Sequence, residues 1–556
     1  MAGRTTATVS KMHLIALGAL AAALAACAPE GPSAGAMETA PAVDQSSAEL
    51  RRGPPSLWTA EWTWLVFAAN DDHDQNLVAA FDQDALEWQH GLGGSALFRI
   101  LVQRDYAPFQ VGDDGKPRPS ERYSIYREEI RPPGRENEAP GVMVLGETDT
   151  SDMATLRDFL VEGVRMYPAR HYWVTFTGHG DGFTGIADDA TSGEGKRLSL
   201  EGLSAALGEA SKVIETEIRT KPGLGGLGTS NRIDVVAFDT CRMGAVEVAS
   251  SLSGTADYLI ASRETVPDAG HPYSALRYIA QDRPAASPRM LVEAVVTDYV
   301  RAYIEGVSTA GRAYVGTSVT SVGLDLRRVG KLEEALAGLV TAVRRERPRG
   351  FSCADVTSIF AEACGGAGIV ASAASASHGG RSRRATRSRT TASDASVDLV
   401  ALLERLADPA FCGPGGSGSV IVGTDVAAAA REVLSVIGRP HLWTREEPWG
   451  EQLQYGGQYR RLSGFHALSP FVVEAQRVEP STGTRLGGLS VLWGNPFELL
   501  LRENGRSLMD AYRATAFEKR TGWSKILQAC IDQAEACRTG APDPHAPAGE
   551  DPCEGL

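Results

Sequence analysis

The stretch Ile233-Asp234-Val235-Val236-Ala237-Phe238, running into Asp239-Thr240-Cys241-Arg242-Met243-Gly244, decides the fold class. Its apolar, β-branched half predicts a strand. A polar turn ends that strand, and residues 245–252 then read as helix. The same unit recurs on both sides. Apolar runs at 63–69, 97–103, 172–177 and 258–262 alternate with helical stretches at 75–89, 152–166 and 199–214. In the first of these helices Leu77, Phe81, Ala85 and Trp88 return near one face, the spacing of a buried helical stripe. Short strands alternating with helices predict an α/β fold with a largely parallel central sheet.

Polar residues gather just after the strands. Asn70, Asp71, Asp72 and Asp74 follow the first and Asp105 the second; His179 lies between Gly178 and Gly180 after the third; Asp239, Thr240 and Cys241 end the fourth, and Glu264 follows the fifth. Ligand sites of open α/β sheets form beyond the carboxyl ends of the strands, so these residues are expected at one edge. Cys241 and His179, 62 residues apart, then form a candidate nucleophile and base. A thiol attacks a carbonyl well only as thiolate, and a neighbouring imidazole takes that proton and returns it to the leaving amine. The small residues Gly180 and Gly244 let a substrate approach, and backbone N–H groups there can hold an oxyanion.

The remainder of the 556 residues sets the context. A composition of 43% hydrophobic and 22% charged residues suits a globular chain. The net charge of -14, from 69 acidic against 55 basic residues, argues against a nucleic-acid partner, which would need a basic face. Arg4 and Lys11 precede an apolar run at 14–24 that is too short to span a bilayer and has the length of a signal-peptide core. It ends in Leu24-Ala25-Ala26-Cys27, which resembles a bacterial lipobox. Residues 1–26 are therefore expected to be a lipoprotein signal peptide, with Cys27 lipidated and the protein exported and membrane-anchored, periplasmic or at the cell surface. Residues 27–57 read as a flexible tether, 58–370 as the domain bearing the dyad, and 371–396, with five arginines between Arg381 and Arg389, as a low-complexity linker. Residues 397–530 read as a smaller C-terminal α/β region, with helices at 399–406, 426–437 and 507–517 and a strand at 488–492; a tail, 531–556, follows. Cys353, Cys364, Cys412, Cys530, Cys537 and Cys553 are expected to form disulfides in an exported protein. No CxxC pair suggests structural zinc.

The words around the dyad resemble the clostripain family of cysteine peptidases, of the caspase-like clan. They are the tryptophan-bearing strand and acidic loop at 64–77, Gly146-Glu147-Thr148-Asp149-Thr150 with the helix after it, and His179-Gly180-Asp181-Gly182-Phe183 with Asp188-Asp189 downstream. Phe238 to Glu247, the segment 262–273, and more thinly Gly488-Leu489-Ser490-Val491, Tyr512 and Trp523 complete the likeness. The resemblance implies a caspase-like α/β/α sandwich, His179 as base, Cys241 as nucleophile, and an oxyanion hole from the backbones of Gly180 and Cys241. It implies that Asp239, two residues before the nucleophile, binds the basic residue preceding the cut, so that the partners are proteins or peptides containing Arg or Lys. It implies a maturation cut within 186–232, expected after Lys196 or Arg197, with the arginine-rich loop Arg381–Arg389 as a second candidate. No metal ligand or cofactor is assigned. Some relatives need calcium, and the carboxylates of Asp71-Asp72-His73-Asp74 suit that hard cation, although an acidic turn is the commoner explanation. Arg242 departs from the leucine common in the family, and is expected either to be solvated or to perturb the pocket. The competing readings are a non-catalytic caspase-like peptide-binding scaffold and a cysteine transpeptidase.

Overall fold

The structure, a computed structural model, describes residues 60–71, 75–91, 98–106, 109–111, 115–125, 142–193, 196–226, 229–263, 265–273, 287–305, 320–359, 396–407, 422–437, 452–454, 459–460, 472–476, 489–493, 500, 502–503 and 506–539. The expected signal peptide, Cys27, the tether, Asp72 to Asp74, Glu264, the linker 371–395 and the tail beyond 539 lie outside the described residues.

In chain order the main elements are β1 (Ala60–Asn70), α1 (Gln75–Gly91), β2 (Phe98–Tyr106), β3 (Ser120–Ile125), β4 (Val142–Gly146), α2 (Met153–Met166), β5 (Ala169–Thr177), α3 (Leu200–Val213), β6 (Ile233–Asp239), α4 (Val246–Leu252) and β7 (Ala256–Ala261). Then follow α5 (Pro288–Glu305), β8 (Thr320–Asp325), α6 (Val329–Glu346), α7 (Cys353–Ser358), β9 (Ser396–Asp398), α8 (Leu399–Ala407), α9 (Thr424–Ile437), β10 (Val472–Gln476), β11 (Ser490–Leu492), α10 (Leu508–Ala514), α11 (Ala516–Thr521) and α12 (Gln528–Thr539).

Among the described residues nine strands form one sheet in the order β10-β8-β7-β6-β5-β1-β2-β3-β4. The five from β7 to β2 are parallel to one another. Antiparallel strands extend the sheet at both ends. Side chains alternate through it, as the pleat requires. On β1, Trp62, Trp64, Val66 and Ala68 face one layer together with Trp173 of β5 and Val235 and Ala237 of β6. Leu65, Phe67 and Ala69 face the other with Val174, Phe176, Val236 and Phe238. Phe81 and Trp88 of α1 and Leu291, Val292, Val295 and Val296 of α5 cover the first face; α2, α3, α4 and α6 cover the second. This is the expected α/β/α sandwich. Trp64 stacks on Trp173 with ring centroids 4.3 Å apart and meets Trp88 edge-on; each such pair adds about 0.5–1.5 kcal/mol beyond its buried area.

The C-terminal elements share this core. β10 pairs with β8 in the main sheet and β11 pairs with β9, while Val426, Ala430 and Val433 of α9 join the same apolar cluster as Leu336, Leu339 and Val343 of α6. A disulfide joins Cys353 of α7 to Cys530 of α12, and Cys537 is also disulfide-bonded. Cys364, Cys412 and Cys553 lie outside the described residues. Among the described residues no helix is long and apolar enough to cross a membrane.

Candidate active site

Parallel register carries the candidate residues to one edge. Ala68 of β1 pairs with Thr177, and Thr177, the last residue of β5, pairs with Asp239, the last of β6. His179 and Cys241 are thus each two residues beyond the ends of adjacent strands, and both are half-buried. The turns meet at Gly180. A methyl group there would lie 2.7 Å from Thr240 Oγ1 and 2.8 Å from the Cys241 carbonyl oxygen, closer than atoms approach without displacement. Only glycine lets the histidine turn pack on the cysteine turn. Gly180 also sits opposite Ile186 in a small antiparallel ladder, whose bonds come from Asp181 N to Gly185 O and from Ala187 N to His179 O. In such a ladder the intervening residue directs its own N–H and C=O away from that partner.

The nucleophile's turn is held by main chain on both sides. Gly244 N donates to Ser262 O at 2.7 Å, and Ser490 N donates to Gly244 O at 2.8 Å. The Cys241 Sγ accepts from Val266 N at 3.4 Å. Burial pushes the thiol up from its ordinary value, against the opposing pull of the Val266 N–H and the Arg242 charge, so the resting sulfur is protonated. Arg242 is largely withdrawn from solvent rather than solvated. Its φ of +64° is left-handed, an unusual conformation for a residue with a side chain. Its side chain is 13% exposed and pairs with Asp181 at 3.4 Å. Asp181 in turn meets Arg197 at 3.4 Å, and Arg197 grips Asp188 through two nitrogens. An ion-pair cluster therefore buttresses the histidine loop against the cysteine turn.

Strand geometry ends at Asp239, so strand alternation does not carry over from Asp239 to Cys241. What surrounds the Asp239 carboxylate is the loop after β7. Its Oδ2 accepts from Tyr273 Oη at 2.7 Å and from His271 N at 3.1 Å. Gly270, at φ +61°, lies so close that a methyl there would be 2.7 Å from Oδ2. The carboxylate accepts no N–H of its own turn among the described residues, so a capping role is not what it performs. The other oxygen, Oδ1, is buried without a hydrogen-bond partner. An unpaired buried carboxylate oxygen is costly, and a guanidinium or ammonium group would satisfy it.

On the far side of β1, carboxylate oxygens of Asp71, Asp105 and Glu147 lie within 4.8 Å of one another. Asp71 belongs to the loop expected to suit calcium; Asp105 and Glu147 were noted in the sequence without that role.

Several contributors have no role that the sequence assigned. Val266 acts through its main chain. Tyr273, His271 and Gly270 lie in the segment 262–273, quoted above without a function. Glu247, buried on α4, accepts from Leu492 N at 3.0 Å, and Tyr512 of α10 packs its ring on Phe183 of the histidine block, centroids 5.2 Å apart. Only the fold brings these distant stretches together.

The profile of the clostripain family matches residues 70–366. Among solved structures, a secreted C11 cysteine protease from Bacteroides thetaiotaomicron in complex with an irreversible peptide inhibitor is 16% identical. That alignment covers 84% of this chain and 99% of the other, with a TM-score of 0.46. An inactive zymogen C11 protease from Parabacteroides distasonis is 14% identical over 84% of this chain and 99% of that one, TM-score 0.45. No curated protein sequence gives a significant match. The matched interval is more than half of the chain and holds both turns that meet at Gly180, and on that match the chain belongs to the clostripain family of cysteine peptidases.

Proposed function

We propose that this protein is an endopeptidase that hydrolyses peptide bonds after basic residues, arginine over lysine, with Cys241 as nucleophile and His179 as general base. The observation that carries the reading is the contact of Gly180 with Thr240 and Cys241, which sets the histidine and cysteine turns side by side. In the first step the thiol proton passes to His179 and Sγ bonds to the substrate carbonyl carbon. The backbone N–H groups of Gly180 and Cys241 hold the oxyanion. As it collapses, the C–N bond breaks, the amine leaves with the proton from the imidazolium, and a thioester remains on Cys241. Water, deprotonated by His179, then releases the acid.

The orphan oxygen of Asp239, beside Gly270, His271 and Tyr273, supports a basic residue before the cut. Arginine engages a carboxylate with two hydrogen bonds, lysine with one point charge. The lipobox supports export with Cys27 as the membrane anchor; membrane partitioning lost in Cys27→Ser tests it. The exposed Lys196 supports a self-inflicted maturation cut. Turnover of a peptide panel varied at the residue before the cut, by wild type, Cys241→Ala and His179→Ala, tests the whole reading. Activity should vanish in both variants. Turnover that survives Cys241→Ala places the nucleophile elsewhere, binding without turnover by wild type indicates a scaffold, and new amide bonds among the products indicate a transpeptidase.

A further inference from the structure

The cysteine turn lies between two stretches of chain that one buried ion pair ties together. On one side is the start of the loop after β7. Gly244 N donates to Ser262 O at 2.7 Å, and a methyl on Gly244 would lie 2.7 Å from Arg263 N and 2.8 Å from the Ser262 carbonyl carbon. Turn and loop are therefore in contact with no slack. On the other side is β11. Ser490 donates to Gly244 O through its N–H at 2.8 Å and through its hydroxyl at 3.2 Å. Ser490 pairs across the ladder with Asp398 of β9, and Leu399 N donates to Leu489 O at 2.9 Å just beyond it. The side chain of Arg263 then reaches Asp398 at 3.7 Å. Gly244 is thus enclosed by a ring of contacts that runs from Ser262 and Arg263 through Asp398 to Ser490.

The ion pair that closes the ring is withdrawn from water. The Arg263 side chain is 7% exposed and that of Asp398 0%. A buried ion pair adds little stability over an apolar pair of the same volume, because desolvation offsets most of the attraction. It does fix where its two ends stand, since parting them strands a charge away from water. Here one end belongs to the loop after β7. The other belongs to β9, which lies beyond residue 366, where the match to the clostripain family ends.

The loop that Arg263 begins is the one that meets the reacting groups. Three residues on, Val266 N donates to Cys241 Sγ at 3.4 Å. Further along, His271 N and Tyr273 Oη donate to Asp239. A shift at Arg263 is delivered first to the N–H on the sulfur. Burial works against the thiolate there, the Val266 N–H and the Arg242 charge work for it, and Asp181 and Asp239 work against it. His179 stands in the neighbouring turn.

We propose that Asp398 and Arg263 are positioning residues whose ion pair seats the loop after β7 against the cysteine turn, keeping the Val266 N–H on the Cys241 sulfur. The C-terminal region then completes the site instead of being appended to it. This inference rests on Cys241 as the reacting thiol and is independent of the preference for basic residues.

The test follows iodoacetamide alkylation of Cys241 against pH in the full-length protein, read on the peptide that carries it, together with peptide turnover. Cys241 is the only free cysteine among the described residues. Both measurements are made well below the melting temperature of each variant. Asp398→Asn, which keeps the shape and removes the charge, should raise the pH of half-maximal alkylation by on the order of one unit, because a hydrogen bond that favours the thiolate is lost. It should lower kcat on the order of 10²-fold, on arginyl and neutral peptides alike. Arg263→Gln should do the same, and Arg263→Lys, which keeps the charge, should recover most of the loss. The double variant Arg263→Gln/Asp398→Asn strands neither charge, and its shift should equal that of either single variant, not their sum. A pair that serves stability alone would lower the melting temperature and leave the alkylation profile in place. An unchanged profile in Asp398→Asn, Arg263→Gln or the double variant overturns the proposal, and the double variant decides if a single one fails to fold. Arg263→Lys no better than Arg263→Gln overturns the role of the charge. Should wild type turn over no peptide, the proposed activity fails while the alkylation profile still decides the positioning role.

Discussion

At the scale of single residues, two side-chain positions decide whether the proposed chemistry is correct. Asp239 Oδ1 is buried and unpaired, so under the proposed specificity a substrate arginine that reaches it gains a partner without displacing one. Losing one member of a buried charge pair costs about 2–5 kcal/mol, which is roughly 30- to several-thousand-fold in kcat/KM. Asp239→Ala should therefore lose that much on arginyl peptides and little on neutral ones; a uniform loss across the panel would make Asp239 a support for the loop of Tyr273 instead. At Gly180 the argument is steric. Gly180→Ala places a methyl 2.7 Å from Thr240 Oγ1 and 2.8 Å from the Cys241 carbonyl, and one turn has to yield. Displacement of the reacting groups by under an ångström costs on the order of 10²-fold in kcat. The melting temperature should change little, because the clash is local. An active Gly180→Ala enzyme would show that the turns are free to separate. The placement of His179, Cys241 and Asp239 at the ends of neighbouring strands was legible because strand–turn–helix patterning marks where strands stop. The role of Val266 was not, because a main-chain N–H has no identity in a sequence.

At the scale of elements, the parallel strands and their helices were legible because each carries a full period of its pattern. The strand expected at 63–69 is β1, and the helix expected at 199–214 is α3, capped by Ser199. The flanking strands β3, β4, β8 and β10 were not. They extend the sheet by antiparallel pairing at its two ends, with β4 and β10 at the edges, outside the repeating strand–helix pattern. Val144 of β4 is exposed and Gly323 interrupts β8. The helix expected at 507–517 is two helices, since Thr515 turns extended and caps the second by accepting from Glu518 N. Glu247 shows what such elements do for the site. It stands on α4, directly behind the cysteine turn, and clasps β11 through Leu492 N. Burial raises its carboxyl to about 7, outweighing the backbone hydrogen bonds that favour the charge. The folded value exceeds the unfolded one of about 4.5, so folding favours the protonated acid. This contribution is complete below about pH 4.5 and is lost as pH rises through about 7. Glu247→Gln keeps an acceptor for Leu492 and has nothing to ionise. Its urea midpoint should fall less between about pH 5 and pH 8 than that of wild type. Equal falls would assign the pH dependence to another group.

At the scale of the whole molecule, the described chain crosses the site's neighbourhood four times: with the histidine block, with the cysteine block, with the loop after β7 that bonds Cys241 and Asp239, and with the C-terminal segment that bonds Gly244 through Ser490. A cut between the first two crossings therefore need not dismantle the enzyme. Of the basic residues between the blocks, most are withheld. Lys212 is in α3. The Arg219 guanidinium donates to the carbonyls of Ser230, Ala169, Leu224 and Arg170. Arg232 pairs with Asp257 at 2.9 Å, and Lys221 precedes Pro222. Arg197 is locked to Asp188, and the bond after it leads into Leu198, whose N–H and C=O are both bonded to Ile186. Lys196 remains, with its side chain half exposed. We therefore expect self-cleavage after Lys196, absent in Cys241→Ala. The two pieces should stay together under native conditions, because β5 and β6 lie on opposite sides of the cut and pair from Trp173–Val235 to Thr177–Asp239. They should separate on a denaturing gel even without reductant, since Cys27 is the sole cysteine ahead of the cut and every other disulfide closes within the second piece. Intact-mass measurement checks each part. A single uncut chain with full activity would falsify the maturation step, and a cut after Arg197 would mean that the Ile186–Leu198 ladder opens before cleavage.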